Sequence, residues 1–468
     1  MNAITEAKAL PYSRAKPWRT ESRALLTLAL PLVLTELAQM AMSASDTVMM
    51  GWLGAEALAA GTLTAHFYGF FFLLGLGVTG AVAPLVAQAI GARQFRHVRR
   101  SVRQGLWAAA AVGLAGTAVA WHSAAILTAI GQDPAIALAG QAYLRAMLPG
   151  FVPGLWFLVL SQFLAAHRRP RPALIVTLLA IPLNVLGNYA LMFGHFGLPR
   201  LELVGAGIST ALVDGFLFLA LLGFVLWDRR LRRYRILGRI WRPDWPRFFE
   251  IFRIGLPIGL ALLAEIGVFL ASTLLIGLFD TDQLAAHGLA IQCTAVVYMV
   301  PYGIGQAATV RVGLAAGAQN PAGVGLAGWT AIAWGCGYAL LPAAAFWFLG
   351  HEIVSLYLDP DRAGNAAAVG FAVTFLQVAA VYQLVEAPQV IAAGALRGLK
   401  DTRVPMLFAL FGYWVLGFGA ALLFAFELGY EGRGAWFGLA VGLTAVAPLM
   451  VGRFRNQVRK LTARPGIV

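Results

Sequence analysis

Apolar residues along this chain fall in long unbroken blocks, and clusters rich in charge, Gly or Pro separate one block from the next. Twelve such runs lie near residues 25–50, 62–88, 104–122, 142–166, 172–193, 204–227, 251–278, 286–310, 325–349, 366–394, 403–425 and 434–451. Crossing a hydrocarbon layer takes about 20 residues of helix, so each run predicts one membrane-spanning helix. Strands are not expected, because these runs lack the alternation of a barrel strand and lipid tolerates no other open sheet. Pro31 and Pro257, inside the first and seventh runs, remove a backbone donor and predict hinges where a helix can bend.

The pattern also repeats. A shift of 226 residues sets Pro31 on Pro257, Gly51 on Gly277, Leu58-Ala59-Ala60 on Leu284-Ala285-Ala286, Gly77 on Gly303 and Gly91-Ala92 on Gly317-Ala318. Six spans separate the copies, an even number, so both halves enter the membrane from one side and the pseudo-two-fold axis runs along the membrane normal. The expected architecture is an all-α polytopic membrane protein of twelve transmembrane helices in two pseudo-symmetric six-helix lobes. Its divisions are an N-terminal segment over 1–24, an N-lobe over 25–227, a basic linker over 228–250, a C-lobe over 251–451 and a tail over 452–468. Duplicated bundles of this kind are transporter architecture, and the major facilitator class shares the 6+6 pattern.

Composition agrees with the pattern: of 468 residues, 60% are hydrophobic and 12% charged, where a soluble domain carries about a quarter charged. The net charge of +14 would suggest nucleic acid in a soluble protein. Here its placement explains it. All of the 35 Lys and Arg except Arg145, Arg200, Arg362 and Arg433 fall on one side of the predicted layer, so that side is cytoplasmic and both termini lie there. The Arg-rich stretch from Arg229 to Arg242 reads as a linker against lipid, and no nucleic-acid partner is expected. Cys293 and Cys336 lie inside apolar runs, which leaves no disulfide framework or Cys-based metal site. The first run continues well past the length of a signal-peptide core, so the N-terminus reads as retained.

Of the 21 acidic residues, Glu36, Asp46, Asp214, Glu265 and Glu386 lie within spans. A carboxylate there costs about 2.5–3.5 kcal/mol on insertion scales and marks a functional site by default. No Lys or Arg occupies the middle of a predicted span, so a mobile species must neutralise these acids: a proton, a metal cation or a cationic substrate. Helical spacing supplies oxygen-bearing neighbours, Tyr382 four residues before Glu386, Asn184 four before Asn188 and Thr210 four before Asp214. The Asn pair reads equally as interhelical glue. His66, His122 and His287 have no partner at ligand spacing and read as packing or interfacial residues.

Four segments together carry a family resemblance: SDTVMMGWLGAEALAA from Ser45, NVLGNYALMFG from Asn184, LPIGLALLAE from Leu256 and AVYQLVEAPQVIAAGALRGLKD from Ala380. The chain resembles, over nearly its whole length, the multidrug and toxic compound extrusion (MATE) family, closest to its NorM-like branch. The loop after the second span, AQAIGARQFRHVRR, lacks the acidic signature of the major facilitator class.

The resemblance implies a V-shaped pair of lobes in the bacterial inner membrane and an antiporter, not an enzyme, that expels hydrophobic, often cationic compounds in exchange for inward H+ or Na+. Its partners would be those small molecules and membrane lipids, the chain a monomer, and its cofactors none. The N-lobe cation site would be Asp46 with Asn184, Asn188 and Thr210, and the C-lobe site Glu265 with Tyr382 and Glu386. Asp214 and Glu36 would be additional acids. The chain departs from the branch in having Glu386 where Asp is common, and in Glu36, which the family motif does not include. Two other functions compete: a flippase for lipid-linked oligosaccharides, expected to hold pyrophosphate with basic residues in the cleft, and an intramembrane enzyme, which needs a nucleophile with a base or a metal pair.

Overall fold

The structure, a computed structural model, describes residues 17–359 and 362–463. Its long helices are α1 (Pro17–Leu53), α2 (Ala55–Gly91), α3 (Phe95–Ala120), α4 (Pro134–Ala166), α5 (Arg171–Phe193), α6 (Glu202–Trp227), α7 (Trp245–Ile276), α8 (Thr281–Gly317), α9 (Pro321–Phe348), α10 (Ala366–Gly398), α11 (Arg403–Glu427) and α12 (Glu431–Ala463). Eleven of them are long and apolar enough to cross a membrane by themselves. The twelfth span is α3, which bends by 60° into a short helix over Ser123–Ala129. Each predicted run thus lies on a helix of this series.

Helix ends differ from the edges of the apolar runs for local reasons. The Asp133 carboxylate accepts from the backbone N–H of Ala135 at 2.7 Å, with Pro134 at the first helical position, so α4 starts before its apolar stretch. Gly194 closes α5 in the left-handed conformation at φ +75°. Residues 17–24, expected to precede the first span, form the opening turns of α1, and α12 runs on to Ala463. The remainder of the expected terminal segments, 1–16 and 464–468, lies outside the described residues. Within α11 the backbone winds as π-helix over Phe411–Phe418 and again over Leu423–Glu427, where glycines let it lie directly on α12. A Cβ on Gly438 would come within 2.4 Å of the Ala421 backbone.

The linker docks on the protein through a few apolar side chains, while its arginines from Arg229 to Arg242 stay exposed. Leu231, Tyr234 and Ile236 are buried, and Tyr234 meets Phe163 and His167 edge to face. Arg103 of α3 donates to the carbonyls of Gly238 and Arg239 at 2.9 and 3.0 Å, and Trp107 to that of Ile240 at 2.8 Å. Arg100 pairs with Asp244, which stands at the N-cap position of α7. Its guanidinium holds the Asp244 carboxyl below the usual carboxylate range.

The two halves meet along a seam of glycines that obeys the repeat. A Cβ on Gly77 (α2) would lie 2.2 Å from the Gly259 nitrogen of α7, and one on Gly303 (α8) 2.5 Å from Val33 of α1; a shift of 226 carries Gly77 to Gly303 and Val33 to Gly259. Likewise Gly91 lies against the Leu314 carbonyl and Gly317 against that of Gln88. Only hydrogen as a side chain allows such backbone contact. Hydrogen bonds between helices of opposite halves, Arg311 to Glu21, Gln88 to the Gly398 carbonyl at 2.8 Å and Gln306 to Glu36 at 2.7 Å, lie at mid-depth or nearer the basic ends. The halves therefore close toward the basic face and diverge toward the other, as the two arms of a V.

Candidate functional site

In the first half, α1, α5 and α6 bring an acid–amide cluster together. The Asn188 side-chain amide donates to Asp46 at 2.5 Å, and the Asn184 amide reaches the same carboxylate from the preceding turn of α5. Both asparagines are buried. Asp214 lies within electrostatic reach of Asp46 and sits in a notch of α4, where a Cβ on Gly150 or Gly154 would stand 3.1–3.3 Å from its carboxylate. A methyl group there would press the acid aside by a few tenths of an ångström. Thr210 spends its hydroxyl on its own helix, donating to the Ala206 carbonyl at 3.0 Å. The adjacent Ser209 donates instead to the Asn184 carbonyl at 3.3 Å. Tyr143, within reach of Asp46, and Tyr68, within reach of Asp214, complete the surroundings; one aromatic among many in an apolar run gives no sign of this in sequence.

In the second half, Glu386 on α10 is buried and accepts from the Gln383 amide at 2.6 Å. Tyr382, fully buried on the same face, points its hydroxyl toward Thr294 and Gln383 without closing a hydrogen bond to either. Glu265 on α7 faces the Tyr298 hydroxyl of α8 and borders a cavity of about 40 Å³ whose polar walls also include Gln389, Arg397, Thr402 and Tyr413. That is room for a few waters or one cation. The two glutamates are within electrostatic reach of each other, yet their nearest polar neighbours differ, Tyr298 for Glu265 and Gln383 for Glu386.

Arg397 corrects the expectation that no internal base accompanies these acids. The apolar run of span 10 ends near residue 394, which places Arg397 in a loop, but α10 continues to Gly398 and delivers the guanidinium to the Glu265 cavity. The signal was in the spacing: Glu386, Gln389, Val390, Ala393 and Arg397 recur at three- and four-residue intervals along one helical face.

Glu36 belongs to neither cluster and lies at the seam. Pro31 and Pro257 are buried within α1 and α7, and Pro257 borders the Glu265 cavity. His287 is buried with its Nε2 2.9 Å from the Thr273 hydroxyl, and no group of three or more His, Cys, Asp or Glu side chains suited to a metal occurs among the described residues.

Buried acceptors without a donor are uncommon in native proteins and call for an explanation. Among the described residues, the buried side-chain carbonyl and carboxylate oxygens left without a partner are those of Asn184, Asn188, Glu265 and Gln389, two in each cluster. Such atoms accept only, so what completes them is a donor proton, from water or another group, or a cation.

Comparison with known proteins places this arrangement. The MatE family profile matches residues 31–190 and 257–423, two segments that begin on the prolines the repeat superposes. "Probable multidrug resistance protein NorM" of Mesorhizobium japonicum is 44% identical, covering 94% of this chain and 95% of its own, and the protein of that name from Rhizobium meliloti is 41% identical over 99% of each. The crystal structure of the eukaryotic MATE transporter AtDTX14 superposes with a TM-score of 0.84, at 20% identity over 95% of this chain and 98% of that one. With a family match over most of its length, in both copies of its repeat, the chain belongs to the MatE family.

Proposed function

We propose that this protein is a secondary antiporter that exports hydrophobic, often cationic small molecules in exchange for an inward proton or sodium ion. The observation that carries the reading is the pairing of intramembrane acids with partnerless acceptor oxygens in both halves, Asp46 with Asn184 and Asn188 and Glu265 with Gln389. A site built of acceptors takes a proton or a hard cation and releases it when the other side is exposed. The names of the NorM relatives support an exported drug as the second substrate. The chain is placed in a bacterial inner membrane as a monomer with both termini cytoplasmic, where retention of basic residues would set its orientation. The lobes are 25–227 and 251–451 about the linker 228–250, and Pro31 and Pro257 are the hinges. The coupling site of the C-lobe is Glu265, Glu386 and Tyr382, and that of the N-lobe is Asp46, Asn184, Asn188 and Thr210, with Asp214 beside it.

Ethidium efflux from proteoliposomes, with pH, sodium and voltage set independently, tests the reading. Export should follow an inward gradient of one of the two ions. Moving one charge through 100 mV supplies about 2.3 kcal/mol, so exchange of one cation for one monovalent dye ignores voltage, whereas two cations per dye makes export voltage-sensitive. Glu265→Gln and Glu386→Gln should abolish export while the protein still inserts. Efflux indifferent to both gradients, or normal in both variants, overturns it.

A further inference from the structure

Glu36 is the intramembrane acid that neither coupling cluster uses. It stands on α1 of the first half, and the amide donating to it at 2.7 Å belongs to Gln306 on α8 of the second half. Gln162 on α4 in turn donates to the Gln306 carbonyl at 3.4 Å, so a chain of three polar side chains crosses the seam. No ion pair among the described residues includes Glu36. Under the shift of 226 its counterpart is Leu262, so this acid has no copy in the second half.

From Pro301 to Ala316, α8 is buried at every position except Tyr302 and Gln306, which keep partial exposure, as does Glu36 itself. One turn before Tyr302 stands Tyr298, their rings stacked at 5.9 Å and 25°, and Tyr302 lies within electrostatic reach of Glu36. An acid beside a stacked pair of aromatic rings at the seam offers charge pairing and a ring face together, which suits a flat or bulky organic cation.

We propose that Glu36, with the Tyr298–Tyr302 pair beside it, is a binding site for the organic-cation substrate at the junction of the halves, adjoining the Glu265 cluster at Tyr298 and distinct from it in its acid. The inference rests on the antiport reading and names the contact for its cargo. A cation paired with Glu36 competes with the Gln306 amide for the same carboxylate, so filling the site weakens a bond that joins the halves.

The test is equilibrium binding to the purified full chain in detergent, with ethidium as the cationic probe and Nile red as a neutral one, both read by fluorescence anisotropy. Glu36→Gln should weaken ethidium at least tenfold and change Nile red less than twofold. Gln306→Leu, which removes the competing donor, should tighten ethidium. Glu36→Asp, which keeps the charge, should bind it better than Glu36→Gln, and unchanged thermal melting shows that each variant folds. Wild-type ethidium affinity in Glu36→Gln, or equal loss of both probes, overturns the proposal. Wild-type protein that binds ethidium through Glu36 but exports it under no ion gradient would remove the antiport reading and leave this assignment standing.

Discussion

Replacing Gly77 with Ala tests whether the glycine seam holds the halves together on the basic face. The added Cβ would sit 2.2 Å from the Gly259 nitrogen, 2.3 Å from its Cα and 2.9 Å from the Gly255 carbonyl oxygen. All three are backbone atoms of a helix, so no rotamer relieves the clash, and α2 and α7 must separate by about 1 Å to restore ordinary contact. Overpacking of this kind costs about 1–3 kcal/mol. The cost falls on the state in which the halves touch and is absent once they part, so it shifts that equilibrium about 5- to 150-fold. A cysteine at Ala87, fully buried at the seam beside Gly313, reports the shift. With native Cys336, which is exposed, replaced by Ser, a hydrophilic maleimide should label Ala87→Cys faster by that factor in the Gly77→Ala background. Gly303→Ala, which meets Val33, should do the same. Gly80→Ala, where nothing lies within 4 Å, should leave the rate alone. Equal labelling in all three backgrounds would refute the argument that these backbone contacts set the closed state.

Other expectations follow from single contacts. Arg311 and Glu21, 5% and 3% exposed, form a two-bonded ion pair between the halves; Arg311→Ala leaves a buried carboxylate unpaired and should cost about 3–5 kcal/mol in denaturation of the detergent-solubilised protein, while Arg311→Met with Glu21→Leu should recover most of it. Gly154→Ala presses on the Asp214 carboxylate and should lower transport more than thermal stability, measured as efflux rate against melting temperature. Asp244 is held below the usual carboxylate range by Arg100, so its contribution to stability is complete above the unfolded pKa of about 4 and fades as pH falls through the lower folded value. Limited proteolysis of the linker should therefore accelerate only below about pH 4, and Asp244→Asn should show the faster rate already at pH 7.

Much of the fold is written in the chain because lipid imposes one rule on every span: enough apolar length and a backbone bonded to itself. That rule places all twelve helices and, with the repeat, the two halves. It says nothing about where a helix stops once it leaves lipid, which is how Arg397 came to read as a loop residue while α10 carries it to the cavity of Glu265. The acids themselves are legible, since each contradicts its apolar surroundings. Their partners are less so: Asn188 beside Asp46 came with the family resemblance, but Gln306 beside Glu36 joins residues on opposite sides of the seam, and no helical period relates them. Ser209 shows the same limit at one-residue scale, since an adjacent Thr and Ser point about 100° apart around α6 and packing decides which of them meets α5. The π-helical turns of α11 leave no mark in an apolar sequence.

The mirrored seam has the form of a contact between two identical subunits. Gly91 meets position 314 while Gly317 meets position 88, and in the numbering of the repeat these are one contact made twice, the signature of an isologous dimer interface. The chain is in this sense a homodimer fused head to tail, whose two subunits have since acquired different acids. Any opening that keeps the two-fold relation loosens both copies of every contact together. A ligand bound off the axis, whether at Asp46 or at Glu265, therefore acts on the same paired contacts, and the unequal halves can draw on different ions or stoichiometries while opening one seam.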